Sequence, residues 1–266
     1  MLGAVIGDII GSRFEADNHK SKEFDLFTRD SCPTDDSVMT LAVAKALLAS
    51  REGWSQLSKN AVKYMQEIGR QYPNCGYGGH FFYWIFSDDP QPYGSYGNGS
   101  AMRISAVGFA AESIEQAKAL SQAVTEVSHD HPEGLKGAEA VAVAIFLART
   151  GSSRLEIRDY IEKNYYPMDF TLDQIREDYR FDVTCQGSVP QAFQAFFESQ
   201  DFEDAIRNAI SIGGDSDTIA AICGGLAEAY YGIPTPIRNQ AMTYLDDHLV
   251  EIVETFESTY PFQPNK

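Results

Sequence analysis

The stretch "SIGGDSDTIAAICGGLAEAYYG" (residues 211–232) reads as an apolar helix opened by two glycines and two aspartates, Asp215 and Asp217. An aspartate at the N-cap accepts a bond from free backbone N–H groups and suits the positive end of the helix dipole. That accounts for one acid, but not for the second or for Thr218 beside it. Outward from this segment, helical periodicity dominates the chain. It recurs near 36–50, 54–71, 100–111, 114–128, 134–150, 187–197, 201–211 and 236–256. Alternating β-branched runs bounded by turns are missing, so strands are few. Gly3, Gly7 and Gly11 fall at spacing four, where helices can approach closely. With no repeat and no convincing linker, the expectation is a single all-α domain over residues 1–266, larger than a four-helix bundle.

The 266 residues are 44% hydrophobic and 22% charged, enough apolar material for a sizeable core without disulfide or zinc staples. The formal charge of −17 opposes nucleic acid as a partner, because a phosphate backbone requires a Lys/Arg stripe. An anionic substrate would need a cation to escort it. Cys32, Cys75, Cys185 and Cys223 show no C-x-x-C spacing. The opening MLGAVIGDII is too short for a membrane span, carries Asp8 in its middle and lacks the basic start of a signal peptide. These features lead us to expect a cytoplasmic protein with reduced thiols and no membrane partner.

Unusual residues collect in the loops, at 14–37, 74–81, 87–100 and 128–134, with a longer irregular stretch at 164–186. Thr34-Asp35-Asp36 stands directly before a helix and has the same character as the set Asp215, Asp217 and Thr218. Together they offer four carboxylates and two hydroxyls, hard oxygen donors that suit Mg²⁺, Mn²⁺ or Ca²⁺ rather than zinc. Helix capping explains either cluster alone. Two such clusters in a chain short of cations favour a metal centre, since crowded carboxylates stay ionised only with compensating charge. Asp8 and Glu15 are candidates for orienting a bound water or for general acid/base work; otherwise Asp8 is a satisfied polar contact and Glu15 a surface charge. The glycine loops SYGNGSAMR (95–103) and GYGG (76–79) let backbone N–H groups approach an anion, the first at a helix N-terminus. Tyr77, Phe81, Tyr83, Trp84, Tyr93 and Tyr96 crowd these loops and suit either a nucleobase or the core. His129 and His131 are candidate ligand contacts; as an isolated H-x-H they make a poor zinc site.

Five motifs thus stand in order: GAVIGDIIGSRFE, PTDDS, GSYGNGSAMR, SHDHPEGLKGAEAVA and GGDSDTIAAICGGLAEAYYG. The ordered set, spanning residues 1 to about 232, resembles the ADP-ribosylglycohydrolase family. The resemblance implies an all-α fold with two Mg²⁺ (or Mn²⁺) ions held by Thr34, Asp35, Asp36, Asp215, Asp217 and Thr218. It places Glu15 as a catalytic acid beside the substrate and Asp36 or Glu15 as the group that deprotonates a water attacking C1″. Ser95, Tyr96, Gly97 and Asn98, with Gly99 following, match the loop that contacts diphosphate, ribose and base. Gly78 and Gly79 match a second phosphate-side loop, and His129 a ligand contact, with His131 as the alternative. The implied reaction releases ADP-ribose from an ADP-ribosylated protein, most often at arginine, or from a small ADP-ribosyl compound. A nucleotide-sugar transferase also uses D-x-D motifs, but the chain lacks the α/β alternation of that class. A non-catalytic ADP-ribose binder should have lost metal ligands or Glu15, and none is lost.

Overall fold

The computed structural model describes residues 1–262, so the last four positions of the expected 1–266 domain lie outside the described residues. The helices in the first half are α1 (Leu2–Gly11), α2 (Asp35–Ser50), α3 (Leu57–Gly69), α4 (Gly79–Phe86), α5 (Gly99–Met102), α6 (Ser105–Ala110) and α7 (Ile114–Thr125). The second half holds α8 (Pro132–Arg149), α9 (Arg154–Asn164), α10 (Leu172–Ile175), α11 (Cys185–Phe197), α12 (Phe202–Ile210), α13 (Ser216–Tyr231), α14 (Thr235–Met242) and α15 (Asp247–Thr259). No strand forms among the described residues. An isolated antiparallel bridge, Gly97 to Thr184, ties two loops.

The organising contact is α1 against α13. Every residue of α1 is buried, and so is α13 from Ser216 to Ala229. Residues of α1 four apart share one face, and that face carries Gly3, Gly7 and Gly11. A methyl group on Gly3 would lie 2.3 Å from the Gly224 carbonyl oxygen, on Gly7 2.0 Å from that of Ala220, and on Gly11 2.5 Å from the Asp217 Cα. The two backbones therefore touch without intervening side chains. Around this pair, α2 packs on α1, α3 and α15; α8 packs on α6, α7 and α13; α11 and α12 close the far flank of α13. The buried apolar residues form one continuous cluster from Met1 to Phe256.

Several boundaries differ from expectation. The segment at 100–111 is two short helices, interrupted where Arg103 turns into the core. The segment at 236–256 is also two, because Asp246 accepts from the Leu249 N–H and starts α15 anew. Two helices were not expected at all, α4 and α9. All four cysteines are free thiols, and no helix among the described residues is long and apolar enough to cross a membrane.

Candidate active site

The N-termini of α2 and α13 meet at the floor of one cleft. Gly213 and Gly214 deliver the chain to α13 in the left-handed region (φ +67° and +76°), where a β-carbon is strained. Asp215 then occupies the N-cap without capping: no backbone N–H of the first turn bonds its side chain. Its Oδ2 instead accepts from Asn98 Nδ2 at 2.7 Å. Asp217 Oδ1 accepts from the Thr218 N–H at 2.9 Å, and the Thr218 hydroxyl donates to Asp36 Oδ2 at 3.2 Å, joining the two helix starts. For Asp215 the capping reading is thus overturned.

At α2 the cap is real but is organised from a distance. Thr34 Oγ1 accepts from the Asp36 N–H at 3.3 Å. Asp8, projecting from α1, accepts from the Thr34 N–H at 2.9 Å, the Thr34 hydroxyl at 2.6 Å and the Ser37 N–H at 3.0 Å, and also from the Ser37 hydroxyl. The buried carboxylate of Asp8 thereby fixes the entry to α2 and takes the Thr34 hydroxyl proton, leaving one lone pair of Thr34 Oγ1 free beside the one that accepts from Asp36. Asp8→Ala strands four donors, each costing about 1–3 kcal/mol when unsatisfied, against relief of like-charge repulsion. We expect a net loss of about 2 kcal/mol, a fall of about 4–8 °C in the melting midpoint, with Asp8→Asn intermediate. Melting followed by circular dichroism in chelator checks this; an alanine variant as stable as wild type would mean that repulsion outweighs the cap.

Two sets of carboxylates converge, each with oxygens within 4.8 Å of one another: Asp8, Asp36 and Asp217; and Glu15, Asp215 and Asp217. Asp217 belongs to both. Burial is the main cause that raises all six nearby acids above the ordinary carboxylate range. The Asp217 charge adds to it at Asp36, the Asp215 charge at Asp217 and Glu15, and the Asp8 charge at Asp35, which is pushed up to about 8. For Asp8 and Asp215, hydrogen bonds offset part of the burial. Asp36 Oδ1 is sealed from solvent with no hydrogen-bond partner. A buried carboxylate oxygen left orphaned among other carboxylates fits a cation, and the all-oxygen donor set fits Mg²⁺ or Mn²⁺.

The cleft above this floor measures about 460 Å³. Of the residues singled out from sequence, it is lined by Glu15, Asp35, Asp36, Gly78, Gly79, Ser95, Gly97, Asn98, Gly99, His129, Asp215, Asp217 and Thr218. Among the proposed ligand and substrate residues, Thr34 and Tyr96 are not part of this lining: Thr34 is buried with its hydroxyl donating to Asp8 Oδ1, and the Tyr96 ring turns outward onto His131 at 5.2 Å. His131 Nδ1 caps α8 by accepting from the Glu133 N–H, so of the two histidines His129 is the one that faces the cleft. The loop at 95–98 is held by the Gly97–Thr184 bridge and by the Asn98 N–H donating to the Val183 carbonyl at 2.8 Å. It does not lead into a strong dipole, since α5 has only four residues and the N–H groups of Ser100 and Ala101 bond within the loop. What the loop itself offers an anion is close backbone approach rather than a helix dipole. Trp84 is core, donating its indole N–H to the Val127 carbonyl at 3.0 Å, whereas Phe81 and Tyr93 line the cleft.

Sequence reasoning missed Phe181 and Val183 at the mouth, which are 55% and 51% exposed. They sit in the irregular 164–186 stretch, and two apolar residues in a loop carry no periodic signal. It also missed Arg103 and Met102, which followed the glycine loop in plain view.

Against known proteins, the family model for ADP-ribosylglycohydrolase matches residues 1–261. The chain is 26% identical over 310 residues to the ADP-ribosylhydrolase ARH3 of Homo sapiens, covering 88% of this chain and 84% of that one. It is 24% identical over 263 residues to the ADP-ribosylarginine hydrolase Tri1 of Pseudomonas putida (strain GB-1), covering 88% and 70%. Among solved structures, an ADP-ribosylglycohydrolase-related protein complex superposes with a TM-score of 0.73 at 23% identity, over 97% of this chain and 94% of that one. With the whole motif series folded onto one cleft and the family match running almost end to end, the chain belongs to the ADP-ribosylglycohydrolase family.

Proposed function

We propose that the protein hydrolyses the glycosidic bond between ADP-ribose and an amino-acid side chain, most often arginine, with two Mg²⁺ (or Mn²⁺) ions in the acid floor. The observation that carries this reading is the pair of carboxylate triads sharing Asp217 beneath a glycine-walled cleft. Thr34, Asp35, Asp36, Asp215, Asp217 and Thr218 would hold the ions. When bound, these supply positive charge that fixes and polarises the substrate's ribose end.

The chain's own groups divide the remaining work. Glu15 is the exposed member of the acid set, at the cleft mouth, so it is the carboxylate that bulk water and a leaving group can both reach. Its raised proton affinity suits a group that takes a proton from water and returns one to the departing side chain. Asp36 is buried and bonded to Thr218, a placement suited to holding charge at the floor. As in sugar hydrolysis generally, the developing positive charge at C1″ would be stabilised by the nearby carboxylates. Gly78, Gly79, Ser95, Gly97 and Gly99 offer main-chain approach to the diphosphate, and Asn98 fixes Asp215.

The test is hydrolysis of a matched panel of arginine- and serine-linked ADP-ribosyl peptides and O-acetyl-ADP-ribose, in Mg²⁺ and then in EDTA. Metal-dependent release of ADP-ribose from the arginine peptide is the expected result. Release from another linkage alone corrects the substrate. Silence on all three with ADP-ribose still bound points to a non-catalytic binder.

A further inference from the structure

Behind His129 lies a buried relay that the family's reaction does not itself call for. Arg103 is completely buried. Its guanidinium carbon sits 5.1 Å from the centroid of the Phe81 ring, and its Nη2 donates to Ser128 Oγ at 2.7 Å. Ser128, equally buried, places the same oxygen 2.8 Å from His129 Nδ1. A guanidinium can only donate, so Ser128 Oγ is the acceptor in the first of these bonds. The hydroxyl proton then needs an acceptor of its own, and His129 Nδ1 is the atom within reach. An accepting Nδ1 carries no proton, which leaves the proton of the neutral ring on Nε2.

That nitrogen faces the glycine loop. A β-carbon on Gly99 would lie 3.4 Å from Nε2 and one on Gly97 3.7 Å, so the absence of side chains there keeps the donor's approach open. The rings of Tyr93 and Phe81 flank the imidazole with centroids at 5.7 and 6.1 Å. Burial, and secondarily the charge of Arg103, hold the ring's proton affinity well below the ordinary histidine value.

We propose that Arg103 and Ser128 are positioning residues that hold His129 as a neutral, Nε2-protonated imidazole, donating one directed hydrogen bond to an anionic oxygen in the cleft. This rests on the reading of the cleft as an ADP-ribose site, where the acceptor is a phosphoryl oxygen. A neutral donor gives direction without adding a mobile positive charge beside the acid floor. A merely structural Arg103 would hold the loops together and leave the tautomer of His129 undefined.

The tautomer is read directly by nitrogen-15 NMR of the histidine ring in the full chain without ligand. The expected result is a bare Nδ1 and a protonated Nε2, with Ser128→Ala shifting the ring toward a mixture. Calorimetry with ADP-ribose supplies the second readout. Ser128→Ala and His129→Asn, whose amide mimics only the Nδ1 position, should each raise Kd about 10-fold. His129→Gln, whose amide reaches the Nε2 position, should stay within about 3-fold of wild type. Because replacing so deeply buried an arginine risks the fold, the Ser128 and His129 variants carry the test. A wild-type ring protonated on Nδ1, or a Gln variant no better than Asn, overturns the proposal. Failure of wild type to bind ADP-ribose would instead sink the cleft's assignment, and the ligand-free tautomer would still decide the relay.

Discussion

Asp217→Asn should reduce hydrolysis of the responsive ADP-ribosyl substrate by about 10³-fold while leaving the helical content intact. Asp217 sits in both carboxylate sets, so a neutral amide weakens both at once. The amide oxygen still accepts from the Thr218 N–H, which preserves the start of α13. In EDTA the same variant should melt higher than wild type, by about 2–4 °C, because one of the crowded charges is gone. The pH dependence has a defined sign. Burial and neighbouring acids raise these carboxyl pKa values above those of the unfolded chain, so the folded protein retains protons that the unfolded chain has lost. Stability without metal therefore falls as pH rises, over the range from about 4, the unfolded carboxyl value, to about 8 for Asp35. Mg²⁺ should restore more stability at pH 8 than at pH 5, since it binds the ionised form. Melting curves at the two pH values, with and without Mg²⁺, check the sign. Full activity of the variant in Mg²⁺ would refute the two-ion floor, and a pH-independent melt in EDTA would show that the acids are not in conflict.

Gly7→Ala should be among the most destabilising single-methyl additions in the chain. The added carbon meets the Ala220 carbonyl oxygen at 2.0 Å and the following amide nitrogen at 2.8 Å. Neither can swing aside as a side chain would, so α1 has to move off α13. Overpacking of this kind costs about 1–3 kcal/mol, and contact with rigid backbone puts this site near the top of that range, a drop of about 6–12 °C in the melting midpoint. Gly79→Ala is the matched control. Nothing lies within 4 Å of its added methyl, and its position in the first turn of α4 tolerates alanine. Equal melting temperatures for the two variants would mean that α1 is seated less tightly than its backbone contacts show. Because Asp8 and the approach to Glu15 ride on α1, Gly7→Ala should lower activity even below its melting point.

The fold was legible where burial is periodic. The starts of α2, α8 and α13 lie within two residues of their expected positions, because each joins an apolar stripe to a polar or glycine start. α9 escaped because only Ile157 and Ile161 of its eleven residues are buried and charges fill most of the rest. Its capping box, Ser153 with Glu156, was the available signal. α4 escaped for the opposite reason. GHFFYWIF has no polar face to set a period, and it exposes Phe82, Tyr83 and Phe86 while burying Phe81, Trp84 and Ile85. In the site, residue types revealed the acids, but not which of them would meet. Asp8 emerged as the organiser of α2 rather than a bystander, and Asn98 as the partner of Asp215, because both depend on contacts across 26 and 117 residues. The pairing of the two aspartates has a physical cause. Asp215 and Asp217 stand one residue apart because the chain is not yet wound at Asp215, so both carboxylates can turn toward the same floor.

The glycine seam between α1 and α13 also sets what can be altered by design. Since the two backbones touch at Gly3, Gly7 and Gly11, the spacing between the acids they carry is dictated by main-chain shape, and no choice of side chain along the seam can tune it. The cleft mouth is built on another plan, from loop residues such as Phe181 and Val183 whose side chains are half exposed. A library aimed at a new leaving group therefore belongs at the mouth, where sequence can drift while the chemistry stays registered. Along the seam, even a tolerated change would need its partner on the facing helix to change with it, so relatives should vary there in pairs or not at all.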